Sequence, residues 1–323
     1  MISLRWIEQR RVHWFRLESF VERSRSGGLM SLPHDELREL ALLYRQTAAD
    51  LSTLREDPAG ARLAGYLNQL LGRAHNVIYR APGEGVGRVR RFYAETFPRV
   101  FRETAAVTNV AFLAFLGAAI AGWLIAVTDP PFQRFLLGPE MMDSISQGEM
   151  WTHEILSIKP LAASGIMTNN LAVCFTVAAA GITAGVGTVL MLLQNGLLLG
   201  VVAAACWQGG MLRSLCAFVA PHGALELPAV FIAGGAGLLI ARGLLFPGHR
   251  PRRVALAEDG RRAVQLVLGI LPLLVVAGVI EAFVSPEPIP DMIRMAMGCV
   301  VFLVLAVYLG LCGRGAVTGA PAP

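Results

Sequence analysis

The sequence predicts an all-α protein. A cytoplasmic N-terminal helical bundle is expected first, then a polytopic α-helical membrane domain of about six spans, one of them broken or re-entrant. Three observations carry this. Of 323 residues, 54% are hydrophobic and only 16% are charged, against about 25% charged in an average soluble domain. The apolar residues are unevenly spread: residues 1–104 are rich in charge, and residues 105–313 hold nearly all the long apolar runs. Within the charged part, apolar residues recur at helical spacing. The expected division is therefore a helical domain at 1–104, a membrane domain at 105–313 and a short tail at 314–323.

Three amphipathic helices are expected in the first part. Residues 5–24 carry Ile7, Trp14, Leu17 and Val21. Residues 35–54 carry Leu37, Leu40, Ala41, Tyr44, Ala48 and Leu51. Residues 60–80 carry Leu63, Tyr66, Leu67, Leu70, Leu71, Ala74 and Ile78. The last two sets follow the i, i+3, i+4, i+7 pattern of a buried helical stripe. Breaks fall at Ser31 to Asp35 and at Asp57-Pro58-Ala59-Gly60, where caps and turn formers cluster. His75 reads as a hydrogen-bonded bundle histidine. After APGEG (81–85) a fourth segment mixes Arg88, Arg90, Arg91, Arg99 and Arg102 with Phe92, Tyr93, Phe97 and Phe101. Two readings are open for it: a lipid-interface helix drawn to anionic headgroups, or a bundle helix with a solvated basic face.

The first span, about 105–127, is long enough for a hydrocarbon core of ~30 Å. A loop at 128–168 follows, with Asp129, Glu140, Asp143, Glu149 and Glu154 against Arg134 and Lys159, the only lysine in the chain. So long a loop without structure of its own is unusual, so FQRFLL and SISQGEMWTHEILS are expected as short surface helices. The apolar block 169–207 exceeds one span. It divides into spans near 169–187 and 190–208, joined by a very tight turn. In residues 211–246, a single long helix would have to pass through Pro221 and Gly223. A short segment, LRSLCAFVA, followed by a helix starting near Pro221 places the proline in a first turn, where its missing N–H is harmless. That span is about 222–243, and two more follow at about 263–284 and 292–312. The glycines at 181–187 and 234–237 suit close helix approach and permit pairing between chains, so a homo-oligomer, a dimer by preference, is expected.

Charge placement bears on partners and topology. The net charge is +5, but the arginines flank apolar segments, which is topology signalling rather than a nucleic-acid footprint. Basic flanks at the N-terminal side, the 247–262 loop and Arg314 contrast with acidic 128–168 and with Glu281, Glu287 and Asp291. With six spans, both termini fall in the cytoplasm, and only Arg213 breaks the positive-inside rule. The start, MISLRWIEQRRVHWF, has no apolar run of signal-peptide length. The expected location is the bacterial inner membrane, with the bilayer and other membrane or envelope proteins as partners. Cys174, Cys206, Cys216, Cys299 and Cys312 all lie in or beside apolar stretches, and none forms a C-x-x-C pair. They read as packing residues.

One stretch departs from the pattern. VAPHGALELPAVF (219–231) puts two ionisable residues among apolar runs. A charged side chain mid-membrane costs about 2.5–3.5 kcal/mol on insertion scales, so such residues face a partner or a wet cavity. His222 and Glu226 are four apart, on one helix face, where a hydrogen bond between them would partly neutralise the pair. Pro221, His222, Gly223, Glu226 and Pro228, with Asn169, Asn170, Gln194 and Asn195, form the candidate intramembrane polar site. Three readings stand: a buried pairing device that fixes the helix, a conduction or substrate site, and catalysis. Helix-borne zinc hydrolysis wants H-E-x-x-H plus a further ligand. Here the order is H-x-x-x-E, and no second histidine lies in any span. No metal, cofactor or catalytic residue is therefore assigned. Phosphate-loop, dinucleotide and nucleophile-elbow motifs do not occur.

Several stretches together resemble the stage II sporulation protein M family: ELALLYRQTAADL at 39–51, YLNQLLGRAHNVIY at 66–79, FPRVFR at 97–102, NN at 169–170, NGLLLG at 195–200 and, most specifically, PHGALELPAVFIAGGAG at 221–237. The resemblance spans about residues 5–285. It implies a non-enzymatic membrane scaffold, since the namesake in endospore formers works with two membrane-anchored proteins that degrade peptidoglycan during engulfment. Many relatives occur in organisms that do not sporulate, and the arginine-for-lysine bias here looks like one of those. His222, Glu226 and Pro228 match the family motif, which marks them without assigning a role. The alternative function is a transporter or channel for a small solute or ion, centred on the 221–228 break.

Overall fold

A computed structural model describes residues 3–27, 32–56, 60–79, 84–148 and 159–314. Every regular element among them is helical. The chain forms two compact units, Met1–Arg90 and Arg91–Pro323.

The first unit holds α1 (Leu4–Gly27), α2 (His34–Arg55) and α3 (Ala61–Tyr79), close to the expected 5–24, 35–54 and 60–80. Asp35 and Glu36 sit in the first turn of α2, where the helix dipole favours negative charge. Trp14, Leu17, Phe20 and Val21 of α1 meet Leu40, Leu43, Leu51 and Leu54 of α2 and Leu67, Leu70, Leu71 and Ala74 of α3. The buried stripe of α2 is only partly the one expected. Ala41 and Ala48 are exposed, while Leu43, Thr47, Asp50 and Leu54 are buried. Leu37, Leu40, Tyr44 and Leu51 pack in the core as expected, and two polar residues, Thr47 and Asp50, share the buried face with them. Asp50 is there because the Trp14 indole Nε1 donates to its Oδ2 at 2.9 Å. Tyr44 and His75 are joined through the hydroxyl and Nδ1 at 3.3 Å. At the rim, Arg16 pairs with Glu39 and Arg23 with Glu36.

The boundary between units falls after Arg90, not after residue 104 as expected. α4 (Glu84–Arg91) is followed by a π-helical turn at Phe92–Thr96 and then α5 (Phe97–Glu103). Phe97 and Val100 are buried in the core of the second unit with Leu266 and Ile270. The Tyr93 hydroxyl donates to Leu268 O at 3.1 Å, and the Tyr308 hydroxyl donates to Tyr93 O at 2.6 Å. The aromatic residues of this arginine-rich stretch are therefore core anchors.

The second unit continues with α6 (Ala105–Thr128), α7 (Pro130–Leu137), α8 (Pro139–Ser146), α9 (Lys159–Ala179), α10 (Val186–Gln208), α11 (Leu212–Leu245), α12 (Arg252–Phe283) and α13 (Asp291–Leu311). Among the described residues, five helices are long and apolar enough to cross a membrane: α6, α10, α11, α12 and α13. The apolar segment Met167–Thr183, which corresponds to the expected span at 169–187, is shorter. α7 contains FQRFLL and begins where Asp129 accepts the Phe132 N–H at 3.1 Å. α8 starts earlier than the second expected surface helix, and residues 149–157 of SISQGEMWTHEILS lie outside the described residues.

α11 is the hub. Its apolar window is 61% buried, against 22% for α6 and 17% for α13. The expected break is absent, because 34 residues run as one helix through Pro221 and Pro228. Each proline removes one backbone donor four residues beyond a carbonyl. Such losses are tolerated in membranes where neighbouring helices enclose the backbone. α10 and α11 are joined by Gly209–Met211, and Arg213 in the first turn of α11 pairs with Asp291 at 3.4 Å. This contact gives a local reason for the one arginine that broke the topology count.

The turn expected inside 169–207 sits at Ala184 (φ 55°) and Gly185 (φ 85°), after a 3₁₀ turn at Ala180–Thr183. At Gly185 the left-handed backbone and the nearby Ala241 Cβ together require glycine. The glycine-rich faces expected to pair chains are used within the chain. Gly181 abuts the backbone of Gly237, and Gly235 abuts Thr108. On the α6–α10 contact, Gly196 and Gly200 lie against the carbonyls of Phe115 and Ala119. Small residues let helix backbones approach closely in lipid.

Candidate functional site

His222 and Glu226 lie one turn apart on α11, as their spacing requires. They do not bond to each other. His222 is buried, and its Nδ1 meets the Ser285 hydroxyl at 3.0 Å. Its ring is also held edge-on by Phe218, with centroids 5.5 Å apart. Ser285 is fully buried just beyond the end of α12. One turn before it, Glu281 brings a second carboxylate from α12. Among the described residues, His222, Glu226 and Glu281 form a group whose ligand atoms all lie within 4.8 Å of one another.

Sequence reasoning placed Glu281 with the acidic outer flank and missed it as a partner. Its neighbour in space comes from a different helix, which no local spacing reveals. The available signal was a glutamate inside the last apolar turn of a span, four residues before a serine. The sequence assigned no metal on the donors of one helix alone. Two donors on one helix were too few, but a third arrives from α12.

Charge balance makes the group unusual. Two unit charges at this separation repel by about 3.5 kcal/mol at an effective dielectric near 20. No guanidinium bonds to either carboxylate among the described residues. Arg294 donates instead to Ser285 O at 2.8 Å and to Asp291 at 2.7 Å, and Arg213 pairs with Asp291. The Glu281 Oε2 atom is buried and has no hydrogen-bond partner. Such an arrangement is stable with a shared proton or a bound cation between the carboxylates.

Among the described residues, the other expected site residues make no hydrogen bond to this group. Pro221 and Gly223 are buried on α11, and Pro228 is partly buried. Asn169 donates to Asn170 Oδ1 at 3.4 Å. Asn195 donates to Met191 O one turn back at 2.8 Å, and Gln194 is exposed. None of these four amides bonds to His222 or Glu226. Of the expected lipid-interface arginines, Arg88, Arg90, Arg91 and Arg99 are exposed. Arg102 has a different task. Its Nη1 donates to Leu309 O at 2.8 Å and Cys312 O at 2.7 Å, satisfying carbonyls at the end of α13 that lack helical partners.

Residues 111–286 match the family model described as Stage II sporulation protein M, and residues 4–80 match a domain of unknown function (DUF8413). The match to the first family is narrower than the resemblance read from the sequence, whose quoted stretches before residue 103 fall outside it. The cluster of His222, Glu226 and Glu281 falls inside it. A curated protein of Methanocaldococcus jannaschii, described as uncharacterized protein MJ0793, is 32% identical over 124 residues, which are 38% of this chain and 70% of that protein. No solved structure matches the chain.

Proposed function

The chain belongs to the stage II sporulation protein M family, and on that premise we propose that it is a non-enzymatic polytopic protein of the bacterial inner membrane that scaffolds other membrane or envelope proteins. Both termini lie in the cytoplasm in this reading. The observation that carries it is the closed packing of α11. The hollow beside its proline-containing segment is lined by apolar groups such as Leu199, Leu215, Leu227, Pro228 and Phe302, and it reaches none of His222, Glu226 and Glu281. Backbone-to-backbone packing at Gly181, Gly196 and Gly200 favours a fixed helix arrangement over one that slides between two states. The separate helical unit, Met1–Arg90, gives such a scaffold a docking module with its own core. The glycines at 181–187 and 234–237 contact residues of the same chain and so lend no support to a dimer.

A transporter reading draws on one observation, the unpartnered Glu281 oxygen in the membrane unit. Ionisable groups inside spans often mark ion paths. Mild crosslinking and purification from native membranes separates the two. The scaffold reading expects a reproducible set of other proteins at fixed ratio to the chain. Recovery of the chain alone, or only with copies of itself, counts against a scaffold and in favour of transport.

A further inference from the structure

We propose that His222, Glu226 and Glu281 bind one divalent transition-metal cation, which fastens α11 to α12 within the membrane unit. The donor set is one imidazole nitrogen and two carboxylates, converging from two helices to within 4.8 Å. Two carboxylates and a doubly charged cation sum to zero. That is the balance a low-dielectric site requires, and no protein cation supplies it here. Arg213 pairs with Asp291, and Arg294 donates through its Nη atoms to Asp291 and Ser285 O while its buried Nε has no partner; among the described residues neither bonds to Glu226 or Glu281.

Two further features fit a ligand. The buried Glu281 Oε2 has no hydrogen-bond partner, and a cation would give it one. Ser285 backs the imidazole from behind. With Nδ1 engaged by the Ser285 hydroxyl, the imidazole has Nε2 left for a metal, an orientation that metal-binding histidines usually take from such outer partners. A tetrahedral ion with bonds of about 2.1 Å sets its donors about 3.4 Å apart, so donors that already lie within 4.8 Å of one another have at most about 1.4 Å to close. The imidazole and the low donor number favour zinc or a similar first-row cation over calcium or magnesium, which take six or more oxygens or keep several waters.

The inference is independent of the scaffold reading, because its readout is metal binding by the purified chain. The full chain, purified in detergent and stripped with a chelator, is titrated with Zn²⁺ and with Co²⁺. The expected result is one Zn²⁺ per chain, a visible d–d spectrum for Co²⁺ without a thiolate charge-transfer band, and an unfolding midpoint that rises with added Zn²⁺. Glu226→Gln and Glu281→Gln each weaken binding by at least about 100-fold, and Ser285→Ala weakens it by about 10- to 100-fold. Should a glutamine variant fail to fold, the wild-type Co²⁺ spectrum alone decides. The proposal is overturned if stripped wild type binds neither ion stoichiometrically and its midpoint does not move, the outcome for two carboxylates that share a proton. It is equally overturned by a thiolate band, which places the metal on cysteine, or by glutamine variants that bind as tightly as wild type.

Discussion

Replacing Asp50 by alanine tests the packing of the helical unit at its least expected point. Asp50 is 3% exposed and accepts the indole N–H of Trp14, itself 1% exposed. Alanine leaves that donor buried and unpaired, at a cost of about 1–3 kcal/mol. The Arg10 guanidinium, 3.6 Å from Asp50, is 32% exposed and rehydrates when its partner is lost, so it adds no more than about 1 kcal/mol. Removing a desolvated carboxylate returns part of this. The net expectation is a loss of about 1–3 kcal/mol, a large share of the stability of a small domain. Asp50→Asn keeps an acceptor for the indole and loses about 1 kcal/mol. Urea unfolding of the Met1–Arg90 unit, followed by tryptophan fluorescence, measures both variants against wild type. The reasoning fails if Asp50→Ala lies within about 0.5 kcal/mol of wild type, or if asparagine is as damaging as alanine.

Three more outcomes follow from the same contacts. Glu18 accepts from the Tyr66 hydroxyl at 2.8 Å and from Arg73 at 2.6 Å, and these bonds, Tyr66 first, hold its carboxyl below its ordinary value despite partial burial. Because the folded value is depressed, the stabilisation is present above the unfolded carboxylate range and is lost as pH falls through the folded value. An acid titration of unfolding in the helical unit should steepen there, and Glu18→Gln should flatten it; parallel curves for the two proteins contradict this. In the membrane unit, a Cβ at Gly200 meets the carbonyl of Ala119, whereas one at Gly117 meets nothing. Gly200→Ala should cost about 1–3 kcal/mol and Gly117→Ala nothing, measured as thermal midpoints in detergent, and equal midpoints for the two variants would refute the α6–α10 packing. Arg102→Met should loosen the end of α13 by about 1–2 kcal/mol, read as faster amide exchange at residues 309–312. Arg99→Met should change little, since Arg99 only reaches Glu103 at 3.9 Å on the surface; equal effects at the two positions would remove the capping role.

Much of this fold is written in local patterns. Helical spacing located all three helices of the first unit, and apolar length located the spans, because both signals lie within one element. The PHGALELP stretch likewise exposed His222 and Glu226, since four-residue spacing puts two side chains on one face. What escaped notice depends on contacts between distant segments. Asp50 is buried because Trp14 of another helix needs an acceptor. Arg102 turns inward because the last carbonyls of α13 need donors. Pro221 stays inside a continuous helix because neighbouring helices enclose it. Glu281 completes the cluster from a helix that local spacing does not connect to α11.

The central claim is that Glu281 of α12 meets Glu226 of α11 inside the membrane unit. Its most direct test is the double variant Glu226→Cys with Glu281→Cys, in a chain whose five native cysteines have been replaced. Native membranes are treated with a short bifunctional thiol reagent, and the chain is then cut in the 246–251 loop. The account predicts that the two fragments remain covalently joined in the double variant and separate in either single variant. Complete separation of the double variant, with both thiols shown to be reactive, would contradict it.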